Sequence, residues 1–283
     1  MVLIRALHSL CQTRHSRRIT VLSRSSTLFS TKASAAVDVD NQANNSTLTK
    51  PKLHYFAFRG RALACRVALF NALGTEGWSD QRVSLPRFKK DPNNQPRRDP
   101  DRLHSKNDYI TNNLPQLDLP CGTRVSQSHA IARYAAKLQP KAAHLPPHFL
   151  RNLYPSDNRV EAMIVDEAVA IVDQILLLTP KDVDVETRTS RREAYQDTGF
   201  LRVGMELLEG RLAGSEKRGP FLLGEQLTIA DLYIRAPLCD LFELGQFEGV
   251  DPSFYDAFPR IKSCGKAVLE HPLLQAYHEN YKN

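Results

Sequence analysis

A phenol and a guanidinium close together in KLHYFAFRGR, Lys52 to Arg61, are the first residues in this chain whose types and spacing offer chemistry. Tyr55, read here as an exposed phenol, carries an O–H that can donate a hydrogen bond, and Arg61 carries a cation that stays charged at any working pH. A half-buried strand tyrosine would use the same residues structurally. A second set lies downstream in S-Q-S. The hydroxyls of Ser126 and Ser128, with nearby backbone N–H groups at a helix start, form an anion site at the positive end of that helix. Capping alone would account for one of these serines, whereas Gln127 between them supplies an amide with no core to fill.

Both sets need a scaffold, and the local patterns supply one. Leu53, Tyr55 and Ala57 alternate with His54, Phe56 and Phe58, a two-residue period that predicts a strand, and Gly60 breaks it. ALACRVALFNAL predicts a helix from about Ala62 to Leu73, with Leu63, Val67 and Phe70 on one face and Gly74 at a left-handed C-cap. Trp78 to Val83 predicts a second strand. Together they form a βαβ unit with a right-handed crossover and a parallel pair. Tyr55 then sits near the carboxyl end of its strand, where open α/β sheets hold ligands. Leu117–Leu119 and Thr123–Val125 flank a turn at Gly122, forming a hairpin. After it, Ile131, Tyr134, Ala135 and Leu138 belong to the helix that S-Q-S opens.

Residues 84–112 hold four prolines and a basic cluster, Arg87, Lys89, Lys90, Arg97 and Arg98, which reads as a long surface loop. A proline-bearing linker over 141–156 separates this half from a helical one over 157–283. There, Arg159 to Leu178 is amphipathic, with Ile164, Ala168, Ile171, Ile175 and Leu178 on one face. A second helix is expected from Ser190 to Leu212, with Tyr195, Val203, Leu207 and Leu208 at its apolar positions. Thr228 and Asp231 form a capping box, and Pro259 and Pro272 start two shorter helices.

The net charge of +7 comes from the first 37 residues, which carry six Lys or Arg, seven serines and no acid. Removing those six from 38 leaves 32 basic against 31 acidic residues, a near-neutral body that argues against nucleic acid as a partner. Arg5, Arg14, Arg17, Arg18 and Arg24 beside Leu3, Ile4, Leu7 and Leu10 give residues 1–37 the chemistry of a transit peptide. Mitochondrial import is expected, with plastid or cytoplasmic location as alternatives, and residues 38–50 read as a flexible lead. No run reaches transmembrane length, so no membrane insertion is expected. The five cysteines lack C-x-x-C pairing or metal spacing. Cys11 lies in the leader, and Cys65, Cys121, Cys239 and Cys264 read as small buried hydrophobes.

KLHYFAFRGRALACR and LPQLDLPCGTRVSQSHAIARY together resemble the cytosolic-type glutathione S-transferases, over about residues 51 to 280. The wording is most similar to the sigma class, the group that includes the glutathione-dependent prostaglandin D synthases. The resemblance implies an α/β thioredoxin-like domain over 51–140, an all-α helical domain, and a homodimer. It implies that Tyr55 is catalytic, with Phe56 and Arg61 flanking it. Pro115 would be a cis-proline that presents the backbone of Leu114 to the glutathione cysteine, and Gln127 and Ser128 would hold the γ-glutamyl carboxylate. Lys106 would meet the glycyl carboxylate, whereas the family's pocket tryptophan falls on Arg102. An acidic residue that reaches across the dimer falls on Gln174, with Asp173 beside it. Some sigma members bind a divalent cation on this helix. Ala170, Asp173 and Gln174 stand at the corresponding positions, and no metal is expected.

Glutathione reacts as its thiolate, and a phenol donating to sulfur favours that anion. The reading is therefore a transferase in which Tyr55 stabilises the thiolate, Arg61 adds positive field, and the electrophile lies in a pocket lined by Phe56, Phe58 and helical-domain residues. Isomerisation of the prostaglandin D synthase type and a non-catalytic hydrophobic-ligand binder are the alternatives.

Overall fold

The computed structural model describes residues 49–84, 113–139, 152–215 and 218–281. Ser46 to Asn283 form one compact unit. The leader, Arg102, Lys106 and the basic cluster of the loop lie outside the described residues.

Four strands make one sheet in the order β2-β1-β3-β4: β1 (Lys52–Tyr55), β2 (Ser79–Arg82), β3 (Gln116–Asp118) and β4 (Arg124–Ser126). β1 and β2 are parallel, with Leu53 opposite Asp80 and Tyr55 opposite Arg82. β3 runs antiparallel to β1 and β4, so the βαβ unit and the hairpin fall where their patterns place them. Helix α1 (Leu63–Leu73) makes the crossover, and Gly74 at φ 69° ends it, its N–H donating to the Phe70 carbonyl at 2.8 Å. Every residue of α1 from Leu63 to Ala72 is buried, not one face alone. The reason is position: α1 packs on α2 (Ser128–Lys137) and also on helices of the second half, so no side is left to water.

The second half is helical. Asn158 caps α3 (Arg159–Leu178), its Oδ1 accepting from the N–H groups of Val160 at 3.1 Å and Glu161 at 3.2 Å. Val165, Ala168, Val172 and Ile175 form its buried face; Ile164 is only partly buried and Leu178 is exposed. The single helix expected over Ser190–Leu212 is two, α4 (Val185–Asp197) and α5 (Phe200–Ser215). They part at Thr198 and Gly199, where a Cβ on Gly199 would lie 2.7 Å from the Tyr195 backbone, a space only glycine fits. The split re-phases the apolar pattern. Leu201, Met205, Leu208 and Leu212 are buried, whereas Val203 and Leu207 face outward.

Helix α6 (Ile229–Tyr233) runs into a π-helical stretch, Ile234–Cys239, and a last turn, Asp240–Glu243. Ala236 is extended and the Ala236–Pro237 bond is cis. Pro259 and Pro272 open α7 (Pro259–Glu270) and α8 (Pro272–Asn280) as their positions predict. One contiguous core joins α1, α2 and the sheet to the helical half, from Leu53, Phe70 and Leu117 to Ile175, Met205 and Leu274. Cys65, Cys239 and Cys264 are buried in it. Cys121 is exposed instead, because it sits in the hairpin turn, where no second layer covers the chain.

Among the described residues, no helix is long and apolar enough to cross a membrane, and no three His, Cys, Asp or Glu side chains gather at metal-binding distance.

Candidate functional site

Tyr55 is the last residue of β1, and the chain folds back over it through Phe56 to Arg61. The phenol is 4% exposed, so the exposed tyrosine expected from the strand pattern is a covered one. Phe56 and Phe58 pack on its ring at centroid distances of 5.2 and 5.5 Å and stack on each other at 5.3 Å. Arg66, on α1, holds this turn in place. Its Nη2 donates to the Phe56 carbonyl at 2.7 Å, its Nη1 to the Phe58 carbonyl at 2.8 Å, and its Nε to Asp80 at 3.1 Å. Its charge-assisted bonds to these acceptors offset the desolvation of the buried guanidinium and fix the covering loop from below.

The backbone N–H of Arg61 donates to the Tyr55 hydroxyl oxygen at 3.1 Å. Burial pushes the phenol above its ordinary value of 10.0, against the Arg61 N–H bond and the charges of Arg61 and Arg66, which pull the other way. The phenol therefore keeps its proton at neutral pH. With its oxygen already an acceptor, its own O–H is the group left to donate.

Gly60 makes the approach possible. It stands at φ 38°, and a Cβ there would lie 2.6 Å from the Tyr55 hydroxyl and 2.8 Å from the Phe58 ring. We expect Gly60→Ala to keep the fold, by circular dichroism, while any activity that uses the Tyr55 hydroxyl falls at least tenfold, because backbone and hydroxyl must both shift and a displacement of about 1 Å costs that much or more.

Leu114 joins Tyr55 and Ala62 in a small buried cluster, and the Leu114–Pro115 bond is cis, the geometry that the resemblance implied. This brings the Leu114 segment beside the phenol. Gln127 and Ser128 stand at the start of α2, but neither serine is the N-cap. Ser126 ends β4, Gln127 is the N-cap, and Ser128 is the first helical residue. Gln127 has φ 76° and makes no capping bond with its side chain. A non-glycine residue in that region carries strain of about 1–3 kcal/mol, which clusters at ligand sites. Gln127 is exposed and Ser128 buried, so the amide faces outward from the helix's positive end. The Cys65 thiol donates to the Ser128 carbonyl at 3.3 Å, and burial pushes that thiol up to about 12, so it stays neutral beside the site.

Arg61 forms an ion pair with Asp173 of the same chain, on α3. The guanidinium that was expected to face the reacting sulfur is thus shared with an acid, and Asp173 reaches Arg61 within one subunit. Gln174 lies beside it on a cavity of about 420 Å³ with His129, Arg133 and Asp166. Asp166 is held by Arg133 at 2.8 Å and by the Tyr154 hydroxyl at 3.0 Å.

A second cavity, about 620 Å³, opens between the turn and the helices. Tyr55, Phe58 and Arg61 line one side; Leu176, Pro237, Asp240, Leu241, Leu244 and His278 line the other. Phe56 is not in its wall, because it stacks behind Phe58. The far-wall residues escaped the sequence reading. The signal for them was Pro237 inside an apolar helical run, which forces the irregular turn that carries Asp240 and Leu241 to the cavity.

Residues 182–281 match the family model described as glutathione S-transferase, C-terminal domain. Rat hPGDS, solved in complex with a quinoline, aligns with a TM-score of 0.58 at 21% identity, over 83% of this chain and 98% of that one. The chain has the glutathione S-transferase fold. Prostaglandin synthase D of Nilaparvata lugens shares it, with a TM-score of 0.56 at 19% identity over 83% of this chain and 99% of its own. Among curated proteins, S-crystallin 2 of Octopus vulgaris is 27% identical over 240 residues, and S-crystallin 4 of Enteroctopus dofleini 25% over 231; each alignment spans 80% of this chain and 94% of the relative. In this transferase fold, Tyr55, the Leu114–Pro115 segment and Gln127–Ser128 belong to the sheet-bearing half, and the far wall of the larger cavity belongs to the helices.

Proposed function

We propose that this chain is a glutathione transferase that joins the glutathione thiolate to hydrophobic electrophiles. The observation that carries the reading is the Tyr55 hydroxyl: protonated, held by the Arg61 N–H at 3.1 Å, and lining a large, mostly apolar cavity. Gln127 and Ser128 at the start of α2 would take the γ-glutamyl carboxylate. The backbone of Leu114 would take the cysteine amide, with Phe56 and Arg61 beside the tripeptide and Lys106 at its glycyl end. Asp173 holds Arg61 in place, and Gln174 borders the neighbouring cavity where a second subunit would approach. A homodimer carried into the mitochondrion by residues 1–37 completes the reading.

Tyr55 stabilises charge and need not become covalent: its proton is shared with the sulfur, and the electron pair on sulfur forms the new bond as the electrophile's leaving group departs. The S-crystallins are non-catalytic relatives of the transferases. They make a binder without turnover the second reading, with a glutathione-dependent isomerase as the third. Retention on immobilised glutathione followed by an assay with 1-chloro-2,4-dinitrobenzene tests the first. Retention with conjugation is the expected result; retention without it favours the binder, and failure to bind glutathione removes both enzymatic readings.

A further inference from the structure

The larger cavity has a polar end as well as an apolar wall. Arg59 lines it about a third exposed, and its Nη2 donates to Asp240 Oδ1 at 2.9 Å. The same carboxylate accepts from Arg235 Nη2 at 2.6 Å, and Arg235 is buried, with its Nη1 2.6 Å from Glu243. Asp240 is thus satisfied from beneath by a buried arginine whether or not Arg59 stays on it. Arg59 gives one N–H to that bond, so most of its five-donor fork remains for another acceptor. Among the described residues its one hydrogen bond is the one to Asp240, and the other polar groups on the cavity wall, Tyr55, Gln246 and His278, carry no negative charge. Phe58, Leu176, Pro237, Leu241 and Leu244 are apolar, and Arg61 is a second cation. His278 also borders the cavity, and burial with the nearby charge of Arg59 lowers its pKa, so it stays an uncharged imidazole and adds no rival cation for an anionic group.

We propose that Arg59 is the specificity-determining residue of this cavity and that its preferred occupant is an apolar molecule bearing a carboxylate away from its reacting carbon. That the occupant has a reacting carbon rests on the transferase reading; its binding does not. The carboxylate takes the free face of the Arg59 guanidinium in a charge-assisted, two-pronged contact; Asp240 keeps Arg235; and the apolar body lies along the leucines toward Tyr55. No bond is made or broken at this end of the site.

Calorimetry with the full chain and an unreactive matched pair, biphenyl-4-carboxylate and biphenyl-4-carboxamide, tests it in the presence of glutathione. The wild type should bind the carboxylate about tenfold more tightly than the amide, the size of one charge-assisted pair at a partly desolvated guanidinium. Arg59→Gln should bring the ratio close to one, and Arg59→Lys should keep part of it. Leu244→Trp, which narrows the cavity, should weaken both ligands together. A wild-type ratio near one, a ratio unchanged in Arg59→Gln, no binding of either ligand, or indifference of both to Leu244→Trp would each overturn the assignment. Where Arg59→Gln fails to fold, the wild-type ratio decides the matter by its salt response: it should shrink from 20 mM to about 1 M sodium chloride, and a constant ratio counts against Arg59. Absence of conjugation with 1-chloro-2,4-dinitrobenzene would remove the transferase reading without moving the calorimetric ratio, so the two failures are distinguishable.

Discussion

Tyr55→Phe should lower kcat/KM for 1-chloro-2,4-dinitrobenzene by about 100- to 1,000-fold, the usual effect of removing one hydrogen bond made to a developing or full anion in a water-poor site. The substitution deletes one oxygen from a ring already fixed by Phe56 and Phe58, so the site keeps its shape. It leaves the Arg61 N–H without its partner, at a cost of about 1 kcal/mol. Retention on immobilised glutathione should therefore survive. The pH profile separates the proposed role from a structural one. A hydrogen bond to a charged group is worth about 1.5–3 kcal/mol, equivalent to roughly one to two pH units in the titration of the bound thiol. In the wild type the rate should rise through a midpoint below that of a free thiol and then stay level. Burial raises the phenol above 10.0, so the donor form persists and no alkaline fall should begin below that pH. In Tyr55→Phe the midpoint should move up by that amount. A lower rate with an unmoved midpoint would mean that Tyr55 only shapes the pocket.

Local order in this protein was legible wherever one residue or one period decides it. The alternation around Tyr55 placed a strand whose last residue is the phenol, Gly74 ended α1, and Pro259 and Pro272 opened their helices. The two halves of the fold followed from strands and hairpin giving way to long helical periods. What the chain's order did not convey was which group meets which across the two halves. Arg61 looked like a cation aimed at sulfur, yet Asp173, more than a hundred residues away, pairs with it. Tyr55 looked exposed because nothing in its strand shows that the next three residues fold back over it and are tied down by Arg66. Helix α1 looked one-faced because its outer side is covered by segments far along the chain. Serine looked like the cap of α2 by propensity, but the residue between β4 and the helix is Gln127 at φ 76°, and tertiary geometry outweighs a cap worth about 1 kcal/mol. The far wall of the cavity rests on the irregular turn at Pro237, whose path no periodicity describes.

Asp231→Ala should be the most destabilising single substitution among those considered, by about 3–5 kcal/mol. The sequence marks Asp231 only as the return half of a capping box, and Thr228 does donate to it, through its N–H at 2.8 Å and its hydroxyl at 2.8 Å. Two further donors lie outside that motif. The Leu222 N–H gives 2.7 Å to Oδ1, and the Cys264 thiol lies 3.5 Å from the same oxygen. Asp231, Thr228 and Cys264 are fully buried and Leu222 nearly so, so alanine would strand two backbone N–H groups where no water reaches. Each such orphan costs about 1–3 kcal/mol, and the missing carboxylate volume adds a cavity. Thr228→Ala removes a single donor and should cost only about 1 kcal/mol; Asp231→Asn, which keeps one acceptor, should fall between the two. At roughly 2–4 °C per kcal/mol for a chain of this size, calorimetry should record Tm falls of about 6–20 °C for Asp231→Ala against about 2–4 °C for Thr228→Ala. Equal shifts would show that Asp231 acts as a helix cap and nothing more. The larger shift would make it the tie between three segments: the loop at Leu222, the start of α6, and α7 at Cys264. Since α6 leads through the irregular turn to Asp240, that tie also sets where the far wall of the cavity stands relative to Tyr55. At temperatures where Asp231→Ala is still folded, its KM for the electrophile should therefore rise more than its KM for glutathione.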